Sequence, residues 1–205
     1  MPKPADVAVR AALIEQAAAM LAAREPVTLR GLAGRAGTST MAVYTHFGGM
    51  PGLWGAVRQE GFVHLAARLA RVQPTDDPVH DLAALGAAYA DNAVAHPLLY
   101  RAMFDTAVDL PDPEVADGGF APLVGAAARA CADGRFGAVD PADVATRLWA
   151  AGHGLLLLVL TDVLPAEALG SQGPALAEAV CLGAGDDPAR CAASVRSGWS
   201  AGWDG

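Results

Sequence analysis

The chain has 205 residues, of which 53% are hydrophobic, and a formal net charge of −8. The hydrophobic share excludes a disordered chain and is enough to bury a sizeable core. The acidic balance argues against a uniformly cationic nucleic-acid binder, because phosphates attract cations.

The positive charge is concentrated at the start of the chain. Residues 1–60 contain six Lys or Arg against four acidic residues, whereas the rest contains eight against eighteen. This asymmetry is typical of a weakly basic head on an acidic body. Such a head predicts modest non-specific affinity for DNA.

Features that would place the chain in another compartment do not stand out. Residues 1–24 mix charged and small residues without the continuous apolar stretch of a secretory signal. The longest apolar run, Leu155–Leu160, is shorter than the ~20 residues of a membrane span, so we expect a buried helix there. Cys131, Cys181 and Cys191 have no CxxC spacing. The sequence predicts a cytoplasmic protein with reduced thiols, no metal site, no cofactor and no membrane contact.

Alanine and leucine enrichment predicts helix throughout, and the first helix is predicted over residues 6–24. Residues 27–53 then contain two short helices joined at Gly37. Thr28 can cap the first, Gly37 can end it in a left-handed conformation, and Ser39 can cap the second. Val43 and Phe47 give the second helix an inward edge, while its other face is polar or adaptable. This pattern predicts a helix-turn-helix.

Proline and glycine divide the rest of the chain. Met50-Pro51 opens a long helix to about residue 73. Further helices are predicted over about residues 79–96, 97–104, 120–133, 141–164 and 188–203. Val108–Gly119 and Pro165–Pro174 are predicted as loops, with room for a turn of helix after the second. The fold class is therefore all-α, with nine to ten helices.

The helix-turn-helix stretch resembles the DNA-binding segment of the tetracycline-repressor (TetR) family of bacterial transcription regulators. The matching residues are Thr28, Leu32, Ala33, Ala36, Gly37, Ser39, Tyr44, His46, Phe47 and Leu53. Residues 148–155 also resemble a Trp-His-Gly-containing subgroup of TetR ligand-binding domains. The resemblance implies a helix-turn-helix domain over 1–50, a connecting helix over 51–73, and a ligand-binding and dimerisation domain over 74–205.

The resemblance implies contacts with both the phosphates and the bases of DNA. Thr28 and Arg30 would face phosphate at a helix N-terminus. The first residues of the second helix would meet base edges, where Met41 and Ala42 can contact a thymine methyl. The predicted DNA-binding residues are Thr28, Arg30, Ser39, Thr40, Met41, Ala42, Tyr44, Thr45 and His46. Met50 stands where the family commonly has a lysine, so one phosphate contact is missing.

The body has aromatic and methionine side chains with an isolated polar group, a combination typical of an apolar small-molecule pocket. The predicted ligand-binding residues are Tyr89, Tyr100, Met103, Phe104, Trp149 and His153. Ordinary core packing is the alternative for each of them. Dimers of this family join through a four-helix bundle, which implies a dimer face on the last two long helices. The predicted residues of that face are Leu156, Val159, Leu160, Val195 and Trp199.

These features predict a homodimeric transcription regulator, in the first instance a repressor. It would bind a palindromic operator in double-stranded DNA and be released by a largely apolar small molecule. The alternative is a helical small-molecule- or partner-binding protein whose helix-turn-helix no longer binds DNA specifically, which Met50 and the weakly basic head favour. An enzyme is not predicted, because the sequence lacks a nucleophile elbow, a phosphate loop and an HExxH motif.

Overall fold

A computed structural model describes residues 4–105, 107 and 109–203 of the chain. All regular elements in those ranges are helical, which confirms the predicted all-α class. The described α-helices are α1 (Pro4–Ala22), α2 (Leu29–Arg35), α3 (Thr40–Phe47), α4 (Met50–Leu69), α5 (Pro78–Ala95), α6 (Pro97–Met103), α7 (Asp117–Ala132), α8 (Pro141–Leu160), α9 (Ala168–Gly183) and α10 (Pro188–Gly202). A 3-10 turn covers Pro113–Ala116. Val108, where a loop was predicted to begin, lies outside the described residues.

The helices form two compact units. The first consists of residues 1–64 and 96–115, and the second of residues 65–95 and 116–205. Helix α4 contributes residues to both units. The division predicted from the sequence assigned residues 96–115 to the body, whereas their contacts group them with the helix-turn-helix in the first unit.

One apolar core holds α1 to α4 together in the first unit. Its members are buried side chains from all four helices: Leu13, Ile14, Ala17, Met20, Leu32, Val43, Leu53, Ala56 and Val57. Gly48 has a left-handed φ of 70° and ends α3. A Cβ on Gly52 would overlap the carbonyl oxygen of Phe47, so α4 can start this close to α3 only with glycine there. Because Val43 belongs to this core, its side of α3 faces inward and the opposite side of α3 faces outward.

Helix α10 lies directly against α5 in the second unit. A Cβ on Gly198 would overlap the carbonyl oxygen of His80, and a Cβ on Gly202 would overlap that of Ala84. The two glycines are four residues apart, so they share one face of α10 and let the backbones approach closely. This contact decides where the other side chains of α10 point.

Two predicted loops were wrong in part, because glycine and proline were given more weight than packing. Helix α9 begins at Ala168, inside the predicted loop Pro165–Pro174, and contains Pro174. Its buried residues include Leu169, Gly173, Ala177 and Cys181, a stripe of positions four apart that compensates for the proline. Helix α7 begins at Asp117 rather than Phe120, because Gly118 and Gly119 pack closely on residues 65 and 66 of α4.

Helix α8 is long and apolar enough, by length and composition, to cross a membrane. In this fold its inward residues Leu148, Leu155 and Leu156 are buried, and it packs against α7, α9 and α5. Only 33% of its apolar window is buried, and Leu157 and Leu158 are exposed, so the buried helix predicted around Leu155–Leu160 is confirmed for one side of α8 and wrong for the other.

A buried ion-pair network joins the ends of several helices in the second unit. The guanidinium of Arg135 donates to both carboxylate oxygens of Asp186 at 2.7 Å and to Asp77 at 2.8 Å. The hydroxyl of Ser194 also bonds Asp77. Burial alone would raise the pKa of Asp77, but the hydrogen bonds from Ser194 and from the backbone N–H groups of His80 and Val79, together with the charge of Arg135, outweigh it and lower that pKa. Both Arg135 and Asp186 have side chains only 1% exposed, so each charge depends on the other.

Replacing Arg135 by Met should lower the free energy of unfolding by about 3–5 kcal/mol, because it leaves the Asp186 carboxylate buried and unpaired. Arg129→Met is the matched control. Arg129 is 39% exposed, and its partner Asp81 keeps two hydrogen bonds from Thr75, so the loss should be smaller. Urea denaturation of both variants measures the difference; equal losses would contradict the assignment of Arg135 as the central cation.

Candidate DNA-binding and effector sites

The two helices of the helix-turn-helix are α2 and α3. Thr28 caps α2, since its Oγ1 accepts a hydrogen bond from the backbone N–H of Gly31 at 3.1 Å. Ser39 stands at the N-cap of α3 without a side-chain capping bond. Gly37 between them has a φ of 63°, the left-handed conformation expected from the sequence. Thr28 and Gly37 thus act as the sequence predicted, whereas Ser39 occupies the N-cap position without the predicted side-chain bond.

The outer side of α3 has large exposed side chains. Met41 is 68% exposed and Tyr44 is 53% exposed, which is unusual for side chains of this size in a small unit with its own core. The hydroxyl of Thr45 donates to the carbonyl oxygen of Met41 at 3.0 Å, so its proton is already in use. Thr40 is exposed, whereas Ala42 and His46 are half-buried. This face offers apolar contact more than it offers hydrogen-bond donors.

Several cations of the first unit already have partners. Arg35 pairs with Glu25 at 2.8 Å, Arg10 lies over the ring of Phe47 at 5.4 Å, and Arg58 donates to a backbone carbonyl. Arg30 is exposed at the start of α2, beside the N-terminal N–H groups of that helix. Met50 packs against the head core instead of reaching outward. Arg30 is accordingly the best-placed cation for a phosphate.

The second unit contains an apolar cleft with a cavity volume of about 40 Å³, which rises to about 590 Å³ only when all the surrounding space open to solvent is included. Helices α4, α5, α7, α8, α9 and α10 all contribute to it. Its lining includes eight leucines and four glycines, and no lining residue has a formal charge. Tyr89 and Trp149, both predicted as ligand-binding residues, line this cleft. Leu156 and Trp199, both predicted as dimer residues, line it too.

A chain of hydrogen bonds runs along one side of the cleft. The indole N–H of Trp149 donates to the hydroxyl of Tyr89 at 3.2 Å. The Tyr89 hydroxyl can then donate to Nδ1 of His153, 3.1 Å away, when the imidazole is neutral and has its proton on Nε2. Desolvation by burial lowers the pKa of His153, which favours that neutral form. Three predicted ligand residues are thus brought together.

The other three predicted ligand residues lie in the first unit. Tyr100 and Met103 are fully buried, and Met103 packs against Gly61 of α4 so closely that a Cβ on that glycine would overlap it. Phe104 makes edge contacts with Tyr100 and with Phe62, with ring centroids 5.3 and 6.1 Å apart. These contacts match the core-packing alternative considered for each residue.

The predicted dimer residues are mostly covered within the single chain. Leu156, Val159 and Val195 are at most 8% exposed, and Leu160 and Trp199 are half-buried. The exposed apolar surface lies instead on other positions of α8 and on α9. Its residues are Ala150, Gly154, Leu157, Leu158, Ala175, Ala179 and Leu182. Small residues four apart, at 150 and 154 and at 175 and 179, are the sequence signal that identifies this surface, named here the α8–α9 face.

Comparison with known protein families identifies a match for much of the second unit. Residues 82–180 match the family described as "Tetracyclin repressor-like, C-terminal domain". Residues 82–180 are thus a TetR-type C-terminal domain, and this fold points to a regulator rather than an enzyme. The match does not test the resemblance of residues 148–155 to one subgroup of the family.

Solved structures of other proteins share the TetR fold. A protein of unknown function from Rhodococcus sp. RHA1 has 27% identity and a TM-score of 0.73, over 86% of this chain and 95% of that one. SmeT, the repressor of the multidrug efflux pump SmeDEF in Stenotrophomonas maltophilia, has 23% identity and a TM-score of 0.63, over 85% and 89%; it has also been solved in complex with triclosan. PfmR, a TetR-family regulator from Thermus thermophilus, has 21% identity and a TM-score of 0.62, over 82% and 93%. No curated protein sequence matches the chain.

Between pH 7 and pH 5.5 the native chain should lose stability more steeply than its His153→Gln variant. The unfolded chain takes up a proton on this histidine near pH 6.5, whereas the folded chain does so only at lower pH. Stability from neutral His153 is therefore complete above pH 6.5 and falls as the pH drops below it. Urea midpoints at both pH values measure the effect. The other four histidines are common to both proteins, so parallel pH slopes would contradict the lowered pKa.

Proposed function

We propose that the protein is a ligand-responsive repressor of the cytoplasm that binds a palindromic operator as a homodimer and is released by a small molecule. The observation that supports this most strongly is the outer side of α3, where Met41 and Tyr44 are exposed on a helix whose opposite side is anchored in the core. A recognition helix in the major groove requires this arrangement. The match to a TetR-type C-terminal domain supports it independently.

The proposed contacts follow the exposure of the side chains. Met41 and Thr40, at the N-terminal end of α3, would meet base edges, with Met41 against a thymine methyl group. Tyr44, His46, Thr28 and the N-terminus of α2 with Arg30 would meet phosphates. Ser39, Ala42 and Thr45 complete the predicted set. Since the cation supply is small, we expect a shallow dependence of affinity on salt.

The effector would bind in the cleft of the second unit, beside Tyr89 and Trp149. Helix α4 forms part of the cleft through Leu69 and also belongs to the head core through Leu53 and Val57. A ligand that prefers one position of α4 would thereby shift the population of head positions. The triclosan complex of SmeT supports a small, largely apolar effector.

The rival function is a ligand-binding helical protein whose head does not bind DNA specifically. The pairing of Arg35 with Glu25 and the inward packing of Met50 favour it, because both reduce the positive charge available to phosphates. It predicts stabilisation by a ligand with no operator at any salt concentration.

Arg30→Ala should weaken binding to DNA flanking the protein's own gene, uniformly across sequences, and lower the slope of log affinity against log salt by about 1. Fluorescence anisotropy at several salt concentrations measures both. Arg71→Ala, an exposed arginine after α4 in the second unit, is the control and should change neither. Absence of binding by the native protein at low salt would refute the repressor and favour the rival.

We further propose that the dimer forms through the α8–α9 face. Leu157, Leu158 and Leu182 are 40%, 43% and 36% exposed, and the neighbouring alanines and Gly154 would let two helices of a second copy approach closely. The side of α10 that faces α5 is covered by the close contact of Gly198 and Gly202, so that side is not available to a second copy.

Gly154→Arg should convert the dimer to a monomer in sedimentation velocity, because it places a large charged side chain in the middle of the proposed interface. Ser197→Arg, on the exposed side of α10, should leave the dimer intact. The reverse result would favour the face that the sequence alone predicted, which joins residues of α8 with residues of α10.

A further inference from the structure

The cleft of the second unit is lined by one side chain whose polar group is unsatisfied. The indole Nε1–H of Trp199 is buried, and within the described part of the chain it is the buried side-chain nitrogen or oxygen that has no hydrogen-bond partner. The Trp199 ring is part of the cleft wall. Buried donors are nearly always paired in folded proteins, so an unpaired one beside a cavity requires an explanation.

The Trp199 ring cannot turn to find a partner elsewhere. Gly173 lies so close that a Cβ there would overlap two carbons of the ring, and a Cβ on Gly86 would lie 3.5 Å from Cζ3. On another side the ring stacks on Trp203, with centroids 6.3 Å apart and an interplanar angle of 20°. The ring is therefore held in place, which favours a bound acceptor over a side-chain rearrangement.

Other polar atoms at the cleft already have partners. Trp149 donates to Tyr89, and the Tyr89 hydroxyl bonds His153. None of the lining side chains is charged, so an ionised ligand would lose its hydration without gaining a counter-charge. The wall of the cleft thus contains one unused donor, the buried Nε1–H of Trp199, in an apolar surrounding.

We propose that the effector is an uncharged, mostly apolar molecule with one hydrogen-bond acceptor, such as a carbonyl oxygen, and that the Nε1–H of Trp199 donates to that acceptor and orients the molecule. This rests on the proposed function only in using the same cleft. It assigns Trp199 to ligand recognition, although the sequence alone placed it in the dimer face.

Three bicyclic probes of matched shape test the proposal: 1-tetralone, which has a carbonyl acceptor, tetralin, which has none, and tetralin-1-carboxylate, which is an anion. Isothermal titration of the full-length protein without DNA should show that 1-tetralone binds about threefold to tenfold more tightly than tetralin, the range expected for one neutral hydrogen bond. The carboxylate should bind more weakly than both.

In Trp199→Phe the two neutral probes should bind equally, whereas Trp203→Phe, the matched control on the stacked neighbour, should keep the preference for 1-tetralone. Comparing the two probes within one protein removes any general loss of affinity. A preference that survives in Trp199→Phe, an equal affinity in the native protein, tighter binding of the anion, or no binding of any probe would each overturn the proposal.

A second measurement needs no variant of Trp199. In the native protein labelled with ¹⁵N-tryptophan, 1-tetralone should move one of the four indole N–H resonances downfield, and tetralin should not. That resonance should persist in Trp54→Phe, Trp149→Phe and Trp203→Phe; its loss in one of them would assign the donor elsewhere. Binding of 1-tetralone without any DNA binding would refute the repressor alone, and DNA binding without a preference for 1-tetralone would refute the ligand class alone.

Discussion

The second unit depends on one close approach between backbones. Gly198 and Gly202 let α10 lie against the carbonyl oxygens of α5, with no side chain between them. Because α10 cannot shift or rotate in this contact, Trp199 is directed towards the cleft and into the slot left by Gly173 and Gly86. The shape of the cleft is thus a consequence of residues that do not themselves offer any chemistry to a ligand.

The charged and the apolar side chains of the second unit lie in two different regions of its helices. Asp77, Arg135 and Asp186 lie at or beside helix ends and satisfy one another there. The cleft lies along the middle of α5, α8 and α9, where leucine and glycine dominate. The buried cysteines lie near this ion-pair network. Burial raises the pKa of the Cys191 thiol to about 12, so the thiol stays protonated and inert. Ion pairs therefore stabilise the helix ends, and the cleft contains no charged side chain.

The sequence predicted the head in detail because its signals are local. Thr28 and Gly37 act on their own turns, so one cap, one glycine and the apolar spacing were sufficient to place α2 and α3. The body was predicted less well wherever a distant contact overrides a local preference. Pro174 lies within a helix because α9 buries a stripe of residues against its neighbours, and Trp199 faces the cleft because of glycines in other helices.

The same limit applies to the predicted sites. Tyr89, Trp149 and His153 come together although 60 or more residues separate Tyr89 from each of the other two, yet Tyr100, Met103 and Phe104, with identical chemistry, lie in the first unit. Residue type indicated a pocket, but only the packing of α6 with α4 distinguishes lining residues from core residues. For the α8–α9 face the sequence signal is the four-residue spacing of small residues, which does not by itself distinguish an exposed face from a packed one.

The hydrogen bond within α3 has a consequence for how an operator would be chosen. Thr45 gives its proton to the backbone of Met41, and none of the α3 side chains is an Arg, Asn or Gln that could bond a base edge twice. In the proposed complex, discrimination would then come largely from DNA shape: the width of the grooves and the ease of bending between half-sites. Base pairs that the protein never touches would weigh on affinity, and operators of quite different sequence but similar flexibility would be accepted together.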